Sequence, residues 1–382
     1  MQVDRTDLIR TLSDLVRINS INPVLVPGAP GEGEIARYVA AWLGDAGLEI
    51  LMVEPEAGRP SVAARLPGTG GGRSLMLNAH MDTVGVEGMA DAWSGAVREG
   101  KLYGRGAYDM KGSLAACMVA AKVLAGEPRL RGDLVVAAVA DEEYGSIGTA
   151  GLLERVRTDA AIVTEPTSLR ICRAHKGYLW IEVEVEGRAA HGSRFDLGID
   201  ANMRMGRFLA RLDKLEQDLR ARNPHTLVGP PSLHAAVLHG GTGTSTYADR
   251  CRLEIERRTI PGETEEQVLS EIRAITDALA ADDATFRANV RAMLTRGSFE
   301  VARNAPIVNA ILGAATNVLG AQPEVIGEPY WMDAALLSDA GIDTVVIGPS
   351  GAGAHALEEW VDLASVGQLT DILTAAATEF CR

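Results

Sequence analysis

The sequence predicts an α/β fold into which a second, smaller α+β domain is inserted. Short apolar segments alternate with helical segments along the chain, and acidic or histidine residues directly follow several of the apolar segments. In the middle of the chain, the pattern changes to segments in which apolar and acidic residues alternate. Fully apolar strands are typical of a mainly parallel sheet covered on both faces, whereas alternating strands have one solvent-exposed face.

The elements of the α/β domain are predicted from periodicity. Leu8, Leu12, Leu15 and Val16 recur with helical spacing and indicate a first amphipathic helix, and residues 35–43 indicate a second. Further helices are predicted at residues 113–126 and 307–320, and apolar strands at residues 74–80, 133–140, 160–166 and 343–349.

The inserted domain is predicted from strands of the other kind. Residues 179–187 and 250–258 alternate apolar and charged side chains, and charged helical stretches follow at 202–220 and 264–280. We expect residues 1–175 and 296–382 to form the two parts of the α/β domain and residues 176–295 to form the insertion. A single core stops growing at roughly 250 to 300 residues, which also favours two domains for a chain of 382 residues.

Charge and composition exclude several classes of protein. The net charge of −14, with scattered Arg and Lys, argues against a nucleic-acid partner. No stretch approaches the roughly 18 to 20 apolar residues of a membrane-spanning helix, and no signal-peptide core follows the first residue. The four cysteines are far apart and lack metal or disulfide spacing, so we expect reduced thiols in a cytoplasmic protein.

His80 and Asp82 are the first pair of residues with metal-site chemistry. They lie two apart at the end of an apolar strand, so their side chains point the same way. A carboxylate behind a metal-bound imidazole fixes its tautomer and raises its basicity. Capping of a strand-helix turn is the alternative for this pair.

Asp109 lies in the glycine-rich segment GRGAYDMKG, directly before a predicted helix. Its simplest role would be to cap that helix. The glycines, however, permit a tight loop in which a carboxylate can bridge two ions.

Three further groups follow apolar strands. Asp141, Glu142 and Glu143 are adjacent acids, which repel one another unless they are solvated or share cations. Glu165 ends another strand, and His355 lies in the loop GPSGAGAH beyond the last strand. The carboxyl ends of strands in an α/β sheet converge on one crevice. The five residues His80, Asp109, Glu143, Glu165 and His355 therefore suit two zinc ions with one shared carboxylate.

The sequence resembles the co-catalytic zinc enzymes related to acetylornithine deacetylase, succinyl-diaminopimelate desuccinylase, aminoacylase and carboxypeptidase G. The resemblance covers nearly the whole chain and rests on HMDTV, GRGAYDMKG, DEEYGSIGT, TEP, HGS, RRTIPGE and GAGAH, in that order. It implies a zinc-peptidase-like catalytic domain with a mixed, mainly parallel sheet and an inserted ferredoxin-like domain that serves as dimerisation surface and lid. It also implies a homodimer.

The resemblance assigns roles within the metal centre. It implies that one zinc is held by His80 and Glu165, the other by Glu143 and His355, and that Asp109 bridges the two. Glu142 matches the general base that takes a proton from the attacking water and delivers it to the leaving amine, and Asp82 matches the carboxylate behind His80. Cobalt or manganese would fit the same ligands.

The resemblance also assigns substrate contacts. His191 matches a histidine that, in dimeric members, reaches the partner subunit's active site and holds the substrate carbonyl oxygen. Arg258 matches an arginine associated with the substrate carboxylate, for which a guanidinium fork is well suited. The loop containing Gly351 and Gly353 would assist it. A surface pair with Glu256 is the alternative for Arg258.

We therefore expect a metal-dependent amidohydrolase of amino-acid metabolism, most simply one that deacylates an N-acyl amino acid. Desuccinylase or di- and carboxypeptidase activity remains open, and so does a non-catalytic binding homologue. Ser245 replaces an asparagine common in relatives, and Trp331 and Met332 stand where relatives often have a threonine before the aspartate. These departures affect contacts with the substrate. The sequence does not specify which substrate side chain and acyl group they select.

Overall fold

The computed structural model describes residues 3–382, which divide into two compact units. The first unit runs to Arg173 and resumes at Val301–Ile326 and Met332–Arg382. The second unit consists of Ala174–Glu300 together with the short segment Gly327–Trp331.

The helices include those predicted from the sequence and three that were not predicted, at residues 147–153, 334–339 and 363–380. In chain order they are α1 (Arg5–Arg17), α2 (Gly33–Asp45), α3 (Gly112–Ala125), α4 (Ile147–Leu153), α5 (Ala201–Arg220), α6 (Glu265–Asp282), α7 (Pro306–Leu319), α8 (Ala334–Asp339) and α9 (Leu363–Phe380). A π-helical turn, Ala107–Lys111, directly precedes α3. Two N-caps are typical: Asp4 accepts the backbone N–H of Thr6 at 2.9 Å, and Asp362 accepts that of Ser365 at 2.7 Å.

The strands include several of two to four residues that periodicity did not predict. They are β1 (Glu49–Val53), β2 (Ser61–Leu66), β3 (Leu75–His80), β4 (Ala96–Arg98), β5 (Lys101–Tyr103), β6 (Leu134–Val139), β7 (Ala160–Val163), β8 (Ile171–His175), β9 (Gly177–Glu186), β10 (Ser232–Gly240), β11 (Arg250–Thr259), β12 (Arg287–Arg296), β13 (Phe299–Glu300), β14 (Val325–Glu328), β15 (Asp343–Val346), β16 (Gly351–Ala352) and β17 (Trp360–Asp362).

The main sheet of the first unit follows the order β1-β2-β6-β3-β7-β15-β8. Its centre is parallel, because β3 runs parallel to β6 and β7, and β15 runs parallel to β7. The outer pairs are antiparallel. This confirms the predicted mixed, mainly parallel sheet. The carboxyl ends of β3, β6 and β7 consequently lie side by side, with His80 opposite Val139 in the register.

A small second sheet in the same unit has the order β16-β17-β5-β4. Gly351 of β16 lies opposite Val361 of β17, and Trp360 lies opposite Tyr103 of β5. The loop between β16 and β17 and the loop after β5 therefore start from neighbouring strands. These loops contain His355 and Asp109, respectively.

The second unit is ferredoxin-like. Its elements follow the order β9-α5-β10-β11-α6-β12, and its sheet has the order β10-β11-β9-β12 with antiparallel pairs throughout. One face of the sheet is buried with the helices, as shown by Leu179, Ile181, Leu253 and Phe208. The alternating pattern of β9 and β11 arises because their other face is not covered by these helices.

All four cysteines are buried thiols. Among residues 3–382, none of the helices has the length and apolar character needed to cross a membrane.

Candidate metal centre

His80 is the last residue of β3, and its imidazole is buried. Its Nε2 faces Asp109 Oδ1 at 3.2 Å and Glu165 Oε1 at 3.7 Å. Its Nδ1 lies 2.9 Å from the backbone carbonyl oxygen of Asp82 and 3.5 Å from that residue's carboxylate. Burial alone would lower the pKa of His80, but the Asp109 and Asp82 carboxylates hold it well above its usual value.

The Asp82 carboxylate makes its shortest contacts elsewhere. Oδ1 accepts the backbone N–H of Glu142 at 3.1 Å, and Oδ2 accepts that of Glu143 at 3.3 Å and the Asn22 amide at 2.8 Å. Burial would raise the pKa of Asp82, but His80 and Asn22 keep it below its usual value. Asp82 thus fixes the turn that carries Glu142 and Glu143 as well as facing His80.

Asp109 extends its carboxylate between the two histidines. Oδ1 is 3.2 Å from His80 Nε2, and Oδ2 is 3.4 Å from His355 Nε2. These contacts lower the pKa of Asp109 although burial acts in the opposite direction. Asp109 has non-helical backbone angles within the π-helical turn, and the Asp109–Met110 peptide bond is cis. Helix α3 begins at Gly112 without a side-chain cap, so the capping interpretation of Asp109 is wrong.

Glu142 and Glu143 follow β6 on a turn that begins at Asp141. Ligand atoms of His80, Glu142 and Glu165 lie within 4.8 Å of one another, as do those of His80, Asp109 and Glu143. Glu143 Oε2 lies 3.0 Å from His355 Nε2. A solvated acidic turn was the alternative, but Asp141 is 2% exposed and is paired with Arg59 at 2.8 Å. That alternative is therefore wrong for Asp141.

His355 approaches the centre from the loop between β16 and β17. The carboxylates of Asp109 and Glu143 raise the pKa of His355 to about 10. The loop is tight around Gly353, which has a φ of +86°, and a Cβ added there would lie 1.9 Å from the carbonyl oxygen of Glu358. Glycine at this position follows from the close backbone approach. Gly351 opens the loop as part of β16.

The crowded acids indicate what this centre can hold. Burial raises the pKa values of Glu142 and Glu165 well above normal, with repulsion from neighbouring carboxylates adding to the shift. The pKa of Glu143 rises to about 6 for the same reasons, with Asp109 as the nearby charge. A divalent cation among these groups would relieve both the repulsion and the burial of uncompensated charge. Imidazole and carboxylate donors suit zinc, cobalt and manganese.

Several residues behind the centre were not found from the sequence. Arg59 donates to both oxygens of Glu32 at 2.6 Å and to Asp141 Oδ1 at 2.8 Å, and Asn22 donates to Asp82 at 2.8 Å and to Asp141 at 2.9 Å. Glu359, four residues after His355, accepts four hydrogen bonds from the loop that carries Asp109.

A further acid, Asp333, stands close enough to influence the same charges. Thr149 donates a very short hydrogen bond to its carboxylate, and burial raises the pKa of Asp333 to about 6. No local motif marks Asn22, Arg59 or Glu359. The sequence feature that could have indicated such a residue is a charge within a segment of otherwise small or apolar residues, as at Arg59.

The two predicted substrate residues of the insertion lie in the second unit. His191 is exposed, and its Nδ1 is 2.9 Å from Ser193 Oγ. Arg258 lies on the face of the sheet that α5 and α6 do not cover, where its Nε donates to Glu256 Oε1 at 2.6 Å and its guanidinium lies over the Tyr178 ring at 5.1 Å. The surface pair with Glu256, which was the alternative interpretation of Arg258, is therefore present in this structure.

The three departures from the pattern of relatives have different surroundings. The Ser245 carbonyl oxygen accepts the backbone N–H of Gly192 at 2.7 Å. Trp331 belongs to the second unit and donates its indole N–H to the Gly297 carbonyl oxygen at 3.1 Å. Met332 is buried in the first unit.

Comparison with known proteins places the chain among enzymes. The model of peptidase family M20/M25/M40 matches residues 76–379. An acetylornithine deacetylase from Myxococcus xanthus is 32% identical over 388 residues, covering 97% of this chain and 97% of the relative. The N-formyl-4-amino-5-aminomethyl-2-methylpyrimidine deformylase of Bacillus subtilis strain 168 is 28% identical over 410 residues, covering 99% and 95% of the two chains.

A solved structure shares the fold. The dinuclear metal-binding peptidase YxeP from Bacillus subtilis superposes with a TM-score of 0.76 at 19% identity, over 98% of this chain and 99% of that one. The matched residues come from both units of the present chain.

Proposed function

Because the chain belongs to peptidase family M20/M25/M40 and is a metal-dependent hydrolase, we propose that it deacylates an N-acyl amino acid in the manner of an acetylornithine deacetylase. The observation that carries the chemistry is the Asp109 carboxylate, with one oxygen toward His80 and the other toward His355. The proposal that the substrate is an N-acyl amino acid is supported by the acetylornithine deacetylase of Myxococcus xanthus, which is 32% identical to this chain.

The centre is proposed to hold two zinc ions. His80 and Glu165 would ligate one ion, and Glu143 and His355 the other, with Asp109 shared between them. The histidine nitrogens lie 3.0 to 3.7 Å from the carboxylate oxygens of these groups. The atoms that would ligate the ions therefore face a common space. Cobalt or manganese would fit the same nitrogen and oxygen donors.

The reaction needs a proton acceptor beside the ions. Two bound cations would supply a polarised carbonyl and an acidified water, since zinc can lower the pKa of water to about 7. Glu142 is proposed to take the proton from the attacking water and return it to the leaving amine. Asp82 holds Glu142 in place through the backbone N–H bond at 3.1 Å.

The substrate contacts are proposed from the second unit and from the His355 loop. Arg258 would bind the substrate carboxylate, and its existing pair with Glu256 would have to yield or be shared. The backbone around Gly351 and Gly353 would complete that contact. His191, as an exposed side chain, would serve the substrate carbonyl oxygen across a dimer interface.

A homodimer is proposed, with the second unit as the dimerisation surface and as a lid. Strand β10 forms one edge of its sheet, and both faces of the strand are exposed from His234 to Gly240. Val237 and Leu238 are 39% and 51% exposed there. An exposed edge with apolar side chains favours pairing with another strand. Sedimentation of the wild-type protein and of a Leu238→Lys variant would test this assignment.

A cytoplasmic location is proposed from the four buried thiols, since reduced cysteines are typical of a reducing compartment. Fractionation of the source cells would test it.

The alternatives are a desuccinylase and a di- or carboxypeptidase. The second is favoured by the structural similarity to a dinuclear metal-binding peptidase. A deacylase needs only a small acyl pocket, whereas a peptidase must accept a second side chain. Another relative is a deformylase that acts on an N-formyl pyrimidine. The substrates tested should therefore differ in their acyl group as well.

The deciding experiment measures free amine released from N-acetyl, N-succinyl and N-formyl amino acids and from dipeptides. Purified protein is assayed with added zinc, with a chelator, and as the Glu142→Ala variant. Metal-dependent turnover that the variant loses supports the proposal, and the preferred substrate distinguishes the alternatives. If the protein binds two ions but turns over nothing in the panel, the substrate proposal fails. If it binds no ion, the mechanism fails.

A further inference from the structure

Glu359 is a buried carboxylate whose four hydrogen bonds all come from one loop. Oε1 accepts the backbone N–H groups of Tyr108 at 2.9 Å and Asp109 at 3.0 Å. Oε2 accepts the Arg105 guanidinium at 2.7 Å and the backbone N–H of Gly106 at 3.0 Å. Glu359 is 1% exposed, so these bonds replace its hydration. The segment that carries Asp109 is therefore folded around the Glu359 carboxylate.

Arg105 links this segment to the loop of His355. Its Nη1 donates to Glu359, while its Nη2 donates to the carbonyl oxygen of Ala356 at 2.8 Å. A guanidinium can make both bonds at once because its donors form a rigid fork. Ala356 directly follows His355 in the chain. One buried ion pair is therefore in contact with the backbone beside both Asp109 and His355.

We propose that Glu359 is a positioning residue that, together with Arg105, sets the spacing between Asp109 and His355 and thereby the affinity of the ion they share. The inference rests on the proposed two-ion centre. His355 needs such support more than His80 does, because its side chain is 55% exposed and lies on a loop between strands of two and three residues.

The role requires a carboxylate. A glutamine of the same shape has only one accepting oxygen, and its amide nitrogen carries two donors. That nitrogen would have to face either the N–H groups of Tyr108 and Asp109 or the donors of Arg105 and Gly106. In both orientations two donors lose their acceptor, and the loop must move to relieve the contact.

The test is a metal titration of Glu359→Gln. Chelator-stripped protein is titrated with zinc by calorimetry, and the number of ions and each affinity are compared with wild type. We expect two ions, with the affinity for one of them reduced about 10- to 100-fold, the usual loss when a group supporting a ligand is changed. Activity should fall at low zinc concentration and recover when zinc is in excess.

Glu263→Gln is the matched control. Glu263 also accepts an arginine, Arg257 at 2.6 Å, and a backbone N–H, that of Ile260 at 3.0 Å, but it lies in the second unit. A structural loss from breaking such a pair should appear in the thermal stability of both variants. The loss of zinc affinity should appear only in Glu359→Gln.

The outcomes separate this inference from the proposed function. If wild-type protein does not bind two ions, the two-ion centre fails. If wild type binds two ions and folded Glu359→Gln binds both with unchanged affinity, the positioning role alone is overturned. Should Glu359→Gln not fold, Arg105→Lys replaces it, because lysine keeps the charge but cannot reach Glu359 and Ala356 together. Weaker binding of one ion then supports the inference, and unchanged binding refutes it.

Discussion

The two ends of the candidate metal centre lie in opposite surroundings. The His80 side chain is 1% exposed and ends a central strand, whereas the His355 side chain is 55% exposed and lies on a loop of a small sheet. The buried end is held by contacts that also belong to the core. The exposed end is held by loop contacts through Arg105 and Glu359. Changes at the buried end should therefore affect protein stability, and changes at the exposed end should mainly affect metal affinity.

A continuous chain of buried polar groups extends behind the buried end. Glu32 pairs with Arg59, Arg59 with Asp141, and Asn22 connects Asp141 to Asp82. Each of these residues is at most 5% exposed. The network holds the turn that begins at Asp141. Carboxylate atoms of both following glutamates lie within 4.8 Å of the His80 ring nitrogens, and Glu143 also lies 3.0 Å from His355 Nε2.

The largest predicted effect concerns those two glutamates. Glu142→Gln should lower kcat by about 10²- to 10⁴-fold, the range for loss of a general acid or base, because the amide cannot accept the proton. Zinc content should stay at the wild-type value, since Glu142 is not a proposed ligand. Glu143→Gln should instead lower zinc affinity, because this side chain faces His355 at 3.0 Å. Steady-state kinetics with parallel metal analysis distinguishes the two. Loss of an ion in Glu142→Gln would contradict the assignment.

The network predicts the next largest effect, on stability. Arg59→Met leaves Glu32 and Asp141 buried without their cation, and this should lower the free energy of unfolding by about 3 to 5 kcal/mol. Arg65→Met is the control: Arg65 also pairs with two acids, Glu49 and Asp133, but its side chain is 50% exposed. We expect a change of at most about 1 kcal/mol there. Urea denaturation measures both. Equal losses would mean that burial of the network is unimportant.

The two histidines provide a direct test of the comparison. In the presence of a chelator, His80→Ala should lower the free energy of unfolding by about 1 to 3 kcal/mol, because it removes a buried group paired with Asp109 and Asp82. His355→Ala should lower it by less, about 1 kcal/mol at most, because solvent screens the pairs that the 55% exposed side chain makes with Asp109 and Glu143. Thermal denaturation of the metal-free proteins would show the difference. A larger loss in His355→Ala would reverse the comparison.

The same contrast explains how much of the protein could be predicted from its sequence. The fold class followed from fully apolar segments such as β6 and β7, because strands buried on both faces have no polar positions. Residues at the ends of those strands, such as His80 and Glu165, could be placed near one another because parallel strands end at one edge. The structure brings both of them into one cluster with Asp109.

The supporting residues could not be predicted in this way. Arg105 and Glu359 are 254 positions apart, and Arg59 and Asp141 are 82 apart, so no local period relates the partners. Glu359 lies in a charged segment whose composition is typical of a surface loop, and only the tertiary fold buries it. Strands β16 and β17, which place the His355 loop, are too short to show alternation. Motif recognition therefore finds the groups that perform chemistry more readily than the groups that hold them.

The smallest predicted effect is the contribution of an ion pair outside the metal centre to the free energy of unfolding. Asp7 on α1 accepts hydrogen bonds from Arg10 and, at 2.8 Å, from Lys122 on α3, and the Lys122 side chain is 47% exposed. Burial would raise the pKa of Asp7, but these two cations hold it below the ordinary value of 3.8. The pair therefore stabilises the folded protein above about pH 4 and ceases to do so as the pH falls through the lowered pKa. Asp7→Asn should cost less than about 1 kcal/mol at pH 7, and its difference from wild type in urea denaturation should shrink below pH 4 and at high salt. A difference as large as that of Arg59→Met would show that exposure does not set the value of an ion pair in this protein.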